Sequence, residues 1–504
     1  MSRTKESFIN IKYSLYSQVI ILVLSFISRT VFVSILGNEY LGLNGLFTNV
    51  IAVLSLTEMG IGSAITYSLY RPLTDNNKVK ITSIMFIFKK AYTFIGIFIF
   101  FIGLLLASNL NFFINDIPNI KNIKFIFMLY ILTSSISYFF SYKRLLLIAD
   151  RKKYIDSIYQ SLFSIIMNIL QILFLVVTNN FIVFLIIKLL FTFLENFIVS
   201  LKVNKLYPFL NTTKYEPLSR SDKNEIINNV KATILHKFGG IIVTGTDNIV
   251  ISKFIGLSIV GIYSNYLLIL NALNLLINQV FNSLTSILGN IGVTETRKVN
   301  EEVFEIIDFL NFWIYSVVSI CLYVLLNPFI ILWLNDTFIF PVKIISILIL
   351  IFYVNGRRNS VISYKSAYGL FSQDKYKPFF EAIINLFFSI LLGKIYGIIG
   401  VFSGTFISLV FVNIWIEPLV LYKYGFKKKS FEYFKNYIKY LIVTGLVAVI
   451  TIAITIKMVT YNWPTFLLKA VITFFVSNLS LVIIYNSDSK FKMILFKIIN
   501  LVKR

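Results

Sequence analysis

Apolar residues run along this chain in blocks of about 20, the length a helix needs to cross the hydrocarbon core of a bilayer. Short polar stretches separate the blocks. The pattern predicts about fourteen membrane helices, near 14–36, 43–69, 86–107, 123–146, 156–178, 180–202, 231–254, 259–288, 306–327, 342–364, 378–395, 398–422, 437–457 and 464–485. Helices 5 and 6 are split at Thr178-Asn179-Asn180, and helices 11 and 12 at Gly397 and Gly400. The predicted fold class is an all-α integral membrane protein. The first apolar span lacks a small-residue cleavage site and reads as a retained helix rather than a removed signal peptide.

Basic residues test that count. With the N-terminus placed inside, the even-numbered connections hold most of them, including Arg71, Lys78, Lys143, Arg144, Lys202, Lys205, Arg297, Lys375, Lys423 and Lys427–Lys429. The odd-numbered connections hold only Lys121, Lys124, Lys253, Lys343, Lys394 and Lys457. This alternation is the positive-inside pattern, and it puts both termini in the cytoplasm. An internal repeat then divides the chain. A shift of 219 positions lays Asn10 on Asn229, Lys12 on Lys231, Gly37 on Gly256 and Gly42 on Gly261. The expected organisation is an N-terminal lobe over 1–203, a cytoplasmic linker over 204–230 and a C-terminal lobe over 231–425. Two further helices and a basic tail occupy 426–504. Each lobe has six helices, related by an axis along the membrane normal.

Composition agrees with that class. Of 504 residues, 57% are hydrophobic and 14% charged, and mean hydropathy is +0.80. That is too little polar material for a water-facing surface. The net charge of +24 would suggest nucleic acid in a soluble protein. Here it is confined to loops, so it reads as topology and contact with anionic membrane lipids, with no nucleic-acid partner. Cys321 is the only cysteine and there is one histidine, which excludes an intrachain disulfide and argues against a zinc site.

A charge at the bilayer centre costs about 2.5–3.5 kcal/mol on insertion scales, so each one calls for a cavity or a partner. Arg29 lies deep in helix 1 on a face with Ser14, Gln18 and Ser25. Glu58 and Asn44 share a polar stripe on helix 2, and Asp247 lies on helix 7. Asn271 and Asn278 belong to a row of amides along helix 8. Helices 1, 2, 7 and 8 are therefore expected to line a central cavity. Arg29 reads as a binder of an anionic group, with a structural pair to Glu58 as the simpler alternative. His236 and Lys237 read as the cytoplasmic mouth, and either Arg357 or Arg358 as cavity-lining while the other snorkels. Asp247 with Glu381, Asn385 and Thr405 would make an oxygen-rich site for a proton or Na⁺. The plainer reading sets Glu381 beside Lys377 at a helix end. Glu417 reads as interfacial, and Lys188 and Glu195 have no evident partner. No catalytic constellation, metal-ligand set, cofactor motif or phosphate-cradling Gly-rich loop is present.

Several stretches match a known family in order and spacing. They are Gly37-Asn38-Glu39-Tyr40-Leu41-Gly42-Leu43-Asn44-Gly45-Leu46-Phe47 with Glu58-Met59-Gly60-Ile61-Gly62, and Thr246-Asp247-Asn248 with Gly261-Ile262-Tyr263-Ser264-Asn265-Tyr266. Asp374-Lys375-Tyr376-Lys377-Pro378 and Gly400-Val401-Phe402-Ser403-Gly404-Thr405 follow. The chain resembles the polysaccharide transporters of the multidrug/oligosaccharidyl-lipid/polysaccharide exporter superfamily. The resemblance implies a repeat-unit flippase of the bacterial cytoplasmic membrane with two lobes around a cationic cavity and alternating access. Its substrate would be an undecaprenyl-pyrophosphate-linked oligosaccharide for capsule, O-antigen or a related polymer, with a polymerase and glycosyltransferases as partners. Helices 13 and 14 resemble the pair that related lipid II flippases add for the lipid tail. The rival readings are a multidrug or small-molecule antiporter of the same superfamily, a membrane glycosyltransferase or polymerase, and a membrane scaffold without transport.

Overall fold

The structure, a computed structural model, describes the backbone of residues 3–55, 61–114, 120–213, 215–370 and 373–493. It describes their side chains except at 3–17, 61, 63–65, 225, 228–229, 231–244, 283, 286–287, 290 and 293. Among the described residues the regular structure is helical throughout. The described chain falls into two compact units that divide after Ser264. Twelve helices are long and apolar enough to cross a membrane among the described residues, so the chain is a multi-pass membrane protein. Gln18–Leu54 counts as one of the twelve, although Gly37 breaks it with φ 78° and ψ −171°. The helix Arg220–Phe254, of which residues 231–244 have no described side chains, is not in the set.

The first unit holds α1 (Arg3–Leu54), α2 (Ile61–Thr74), α3 (Lys78–Ser108), α4 (Ile123–Ala149), α5 (Lys153–Thr178), α6 (Phe181–Leu206), the short α7 (Phe209–Thr212) and α8 (Arg220–Phe254). It also takes the start of α9 (Leu257–Thr294). Apolar side chains of α3, α4 and α6 form its core, with Phe88, Tyr92, Ile99, Leu146 and Val199 almost fully buried. The α5–α6 turn is made by Asn179, in the left-handed region at φ 49°, and by Asn180, whose side chain accepts from the Ile182 N–H at 2.8 Å. Asparagine tolerates that backbone and caps well, which is why the chain reverses here. The start of α8 is tied to α3 by Lys80 and Asp222 at 2.8 Å. Hydrogen bonds from Lys80 and Ser219 hold the Asp222 carboxyl below its ordinary value.

The repeat boundary expected at 204–230 and the packing division after Ser264 describe different things. Helix α8 falls in the expected second repeat, yet it packs on α1 and α2. The contact between the repeats is reciprocal. A Cβ on Gly42 would lie 2.0 Å from the Leu257 carbonyl oxygen, and a Cβ on Gly261 would lie 2.3 Å from the Asn38 carbonyl oxygen. The 219-position shift carries Asn38 onto Leu257 and Gly42 onto Gly261. Each segment also begins at a glycine with positive φ, Gly37 at 78° and Gly256 at 136°. Glycine supplies both needs: an otherwise strained turn and backbone approach between helices in lipid, where small residues carry the packing.

The second unit contains the rest of α9, then α10 (Arg297–Trp333), α11 (Val342–Arg357), α12 (Asn359–Ala367), α13 (Lys377–Tyr396), α14 (Ile398–Ser408), α15 (Ile414–Val420), α16 (Phe431–Thr455) and α17 (Trp463–Tyr485). Two π turns, Leu409–Asn413 and Leu421–Phe426, flank α15. Gly397 makes the α13–α14 turn with φ 63°. Gly400 and Gly404 then let α14 lie directly on the backbone of α13 at Leu392 and Ser389. Helices α16 and α17 pack on α10 through an aromatic core in which Phe312 stacks on Tyr440 at 4.2 Å. Large apolar side chains such as Phe411, Val449 and Leu467 face outward, as lipid contact requires.

Replacing Gly42 by Ala should force the crossing apart and destabilise the protein by about 1–3 kcal/mol, the usual cost of overpacking. Gly45→Ala, whose Cβ would meet the Val260 side chain at 3.4 Å, should be nearly neutral. Thermal unfolding in detergent checks the pair, and equal midpoints for the two variants would contradict the crossing.

Candidate functional site

In the first unit, Arg29 of α1 donates to the Ser264 hydroxyl at 2.8 Å, and that hydroxyl donates to the Gly261 carbonyl at 2.7 Å. Asn44 accepts a short hydrogen bond from the Tyr130 hydroxyl of α4. The Lys188 ammonium of α6 lies 5.0 Å from the centre of the Tyr130 ring. An aromatic group bounds this region. Phe32 meets Phe181 at 5.5 Å and Phe184 at 5.4 Å, and Tyr40 meets Phe181 at 5.4 Å. Arg29 is one turn from Phe32, and Lys188 is one turn from Phe184. Each cation lies farther from the nearby helix break than its aromatic neighbour, Gly37 on α1 and the α5–α6 turn on α6. Arg29 and Lys188 thus each stand one turn from the Phe32–Phe184 contact. Neither forms an ion pair among the described residues.

Of the other charges of α4–α6, three are matched to one another, while the Lys143 ammonium is held by the neutral Ser200 hydroxyl and Asn204 amide oxygen, both at 2.8 Å. Arg144 bridges Asp156 at 2.9 Å and Glu195 at 2.6 Å, which supplies the partner that Glu195 lacked in the sequence. Asp247 and Asn248 are buried. Glu58 lies outside the described residues, as do the side chains of His236 and Lys237.

In the second unit the adjacent arginines are both engaged. Arg357, 1% exposed, reaches the two Asp308 carboxylate oxygens at 3.2 and 3.1 Å and the Asp308 carbonyl at 2.9 Å. Its guanidinium also lies 5.4 Å from the Tyr440 ring and 5.7 Å from the Tyr437 ring. Arg358 forks onto Glu417 at 2.8 and 2.7 Å. The expectation that one arginine lines a cavity while the other snorkels is corrected. At this depth a guanidinium that loses water takes a carboxylate fork instead. Glu417 is likewise buried rather than interfacial, 3% exposed, and Lys377 shares it at 2.5 Å.

Glu381 lies 3.6 Å from Lys377 and accepts from Asn413 at 2.5 Å, the helix-end arrangement. Asn385 donates to Thr405 at 3.0 Å. The structure thus brings Glu381, Asn385 and Thr405 onto the tight α13–α14 hairpin. Asn271 and Asn278 are seven apart on the exposed face of α9, and Asn278 accepts from Asn359 at 2.7 Å. Asp308, Tyr130 and the position of Lys188 were not singled out by sequence reasoning as site groups. The available signal was pairing demand: two buried arginines need two buried carboxylates, and α10 and α15 each carry one.

No family model and no curated protein matches the chain. Solved structures do. The lipid II flippase MurJ in its inward closed conformation superposes with a TM-score of 0.67 over 95% of this chain and 99% of that one, at 16% identity. An inward-facing multidrug resistance MATE family transporter of the MOP superfamily gives 0.62 over 80% and 95%, at 15% identity. A Vibrio cholerae MATE transporter gives 0.57 over 83% and 96%, at 12% identity. The chain has the fold of these membrane transporters.

Exchanging Glu417 for Gln should leave Arg358 and Lys377 short of a counter-charge and cost about 3–5 kcal/mol, the usual range for breaking a buried pair. Unfolding in detergent measures it; an unchanged midpoint would mean the pair carries no stability.

Proposed function

We propose that this protein is a flippase that moves an undecaprenyl-pyrophosphate-linked oligosaccharide from the inner to the outer leaflet of the bacterial cytoplasmic membrane. The observation that carries this reading is that Arg29 and Lys188 each stand one turn from the Phe32–Phe184 contact of the first unit and have no carboxylate partner among the described residues. Unpaired cations at membrane depth are costly, and an anionic ligand offsets that cost. A diphosphate suits a guanidinium fork and an ammonium together. The amide of Asn44 and the hydroxyls of Tyr130 and Ser264 supply the hydrogen-bonding groups that a sugar needs. The fold shared with MurJ, described as a lipid II flippase, supports a lipid-linked substrate.

In this reading the chain has fourteen membrane helices with both ends in the cytoplasm, and two six-helix lobes rock to expose the site alternately. His236 and Lys237 draw the diphosphate to the cytoplasmic mouth. Asn271 and Asn278 wet the glycan. Asp247 and the Glu381–Asn385–Thr405 group take a proton or Na⁺ to couple the cycle. Helices α16 and α17 accompany the prenyl tail. A polymerase and glycosyltransferases act after and before it. The antiporter reading needs free carboxylates for a cationic drug. It is disfavoured because Asp308, Glu417 and Glu381 are already matched by Arg357, Arg358 and Lys377.

The test is flipping of a defined polyprenyl-diphosphate oligosaccharide by the protein in vesicles. Arg29→Ala and Lys188→Gln should each slow it roughly tenfold or more, the worth of one charge-assisted hydrogen bond of about 1.5–3 kcal/mol. Lys188→Arg should retain more activity than Lys188→Gln. Wild-type rates in both loss-of-charge variants, at equal protein in the vesicle, would overturn the anion site.

A further inference from the structure

The span Ile398–Phe426 ends, and the span Phe431–Thr455 begins, at one edge of the second unit. Between them lies a groove of about 660 Å³. One wall is apolar, with Leu419 and Phe434. The other is basic and aromatic, with Lys423, Tyr424, Lys428 and Lys429. The backbone explains how these groups come together. The π turn Leu421–Phe426 widens the helix where Lys423 and Tyr424 project, and such turns recur at functional sites. Lys427 follows in the left-handed region at φ 51° and stops the helix.

Three observations give the groove an anionic ligand. Lys423 and Lys429 are exposed and form no ion pair among the described residues. Lys428 is paired with Glu301 and so contributes less. Ser430 lines the groove, is 8% exposed, and its hydroxyl has no hydrogen-bond partner among the described residues. Ser430 is also the N-cap residue of α16, and its side chain does not cap that helix. The first turn of this 25-residue helix, which carries Glu432, thus has no side-chain cap from Ser430, and a helix start favours anions.

We infer that this groove binds a single anionic phospholipid of the surrounding leaflet, with its phosphate between Lys423, Lys429 and the start of α16 and its acyl chain along Leu419 and Phe434. Charge complementarity selects the headgroup, and the apolar wall at a membrane edge selects a lipid over free phosphate. The groove lacks the carboxylates and amides that a glycan would use, apart from Gln373. Under the proposed orientation this leaflet is the cytoplasmic one. Lipid binding here is read independently of flipping, so it stands or falls apart from the flippase reading.

The experiment uses the full-length protein in detergent with a photoactivatable phosphatidylglycerol, and maps the adducts by mass spectrometry. Adducts should fall within residues 416–434. Phosphatidylglycerol should compete, and phosphatidylcholine or inorganic phosphate at the same concentration should not. The double variant Lys423→Gln/Lys429→Gln should lose labelling there by about tenfold or more, and Lys423→Arg/Lys429→Arg should keep it. Should the Gln variant fail to fold, the competition pattern in the wild type decides alone. Adducts spread evenly over the membrane helices, equal competition by phosphatidylcholine, or equal labelling in a folded Gln variant would overturn the site. Competition by inorganic phosphate as strong as that by phosphatidylglycerol would overturn the lipid assignment in favour of a free anion.

Discussion

The guanidinium of Arg357 has lost its water, and the carboxylate of Asp308 replaces it. Much of the second unit is arranged around that exchange. Ser360 donates to the same carboxylate at 2.7 Å, Asn311 holds the carbonyls at the end of α11, and the rings of α16 close over the cation. The next residue repeats the solution with Glu417 and recruits Lys377. Three cations meet three carboxylates, so this part of the unit carries no net charge. A buried pair of this kind adds little stability over an apolar core, but removing one partner is expensive. It therefore fixes which helix faces which more than it strengthens the whole.

The same constraint applied to the first unit leaves a remainder. Arg144 is fully matched by Asp156 and Glu195. Among the described residues, Arg29 has a neutral hydroxyl and Lys188 the face of a phenol ring, which stabilises a cation less than a carboxylate does. Charge that the described residues do not neutralise is what the proposed anionic ligand would meet. This difference between the described charges of the two units supports the anionic substrate proposed above, and it comes from packing rather than from the number of basic residues.

The glycine crossing explains how the cation region is built. Gly261 carries the carbonyl that accepts from Ser264, and Ser264 in turn accepts from Arg29. Gly45, one residue from Asn44, has Ser264 within van der Waals range. The close approach of the two repeated segments thus sets the depth of Arg29, Ser264 and Asn44 together. Backbones can come this near only where no side chain intervenes, so the glycines at 42 and 261 are structural conditions for the polar groups beside them.

Most apolar spans, the Asn179-Asn180 and Gly397 turns, and the offset that lays Gly37 on Gly256 were legible in the chain; the first helix was not, since α1 runs on past Gly37 to Leu54 instead of ending near 36. The reason is local: apolar run length, asparagine and glycine backbone preferences and a fixed offset are properties of neighbouring residues. The fate of each charge was not legible. Arg357 and Arg358 looked like ligand groups because their partners stand 49 and 59 positions away, and no spacing rule links them. Lys188 looked unexplained for the same reason, since its setting depends on Tyr130 of a different helix. Sequence by itself determined an all-helical membrane protein and its turns at Asn179-Asn180 and Gly397. Only the tertiary structure decided which of the described membrane charges are cancelled. Neutralisation depends on distances of about 3 Å between side chains, and helix packing alone sets them.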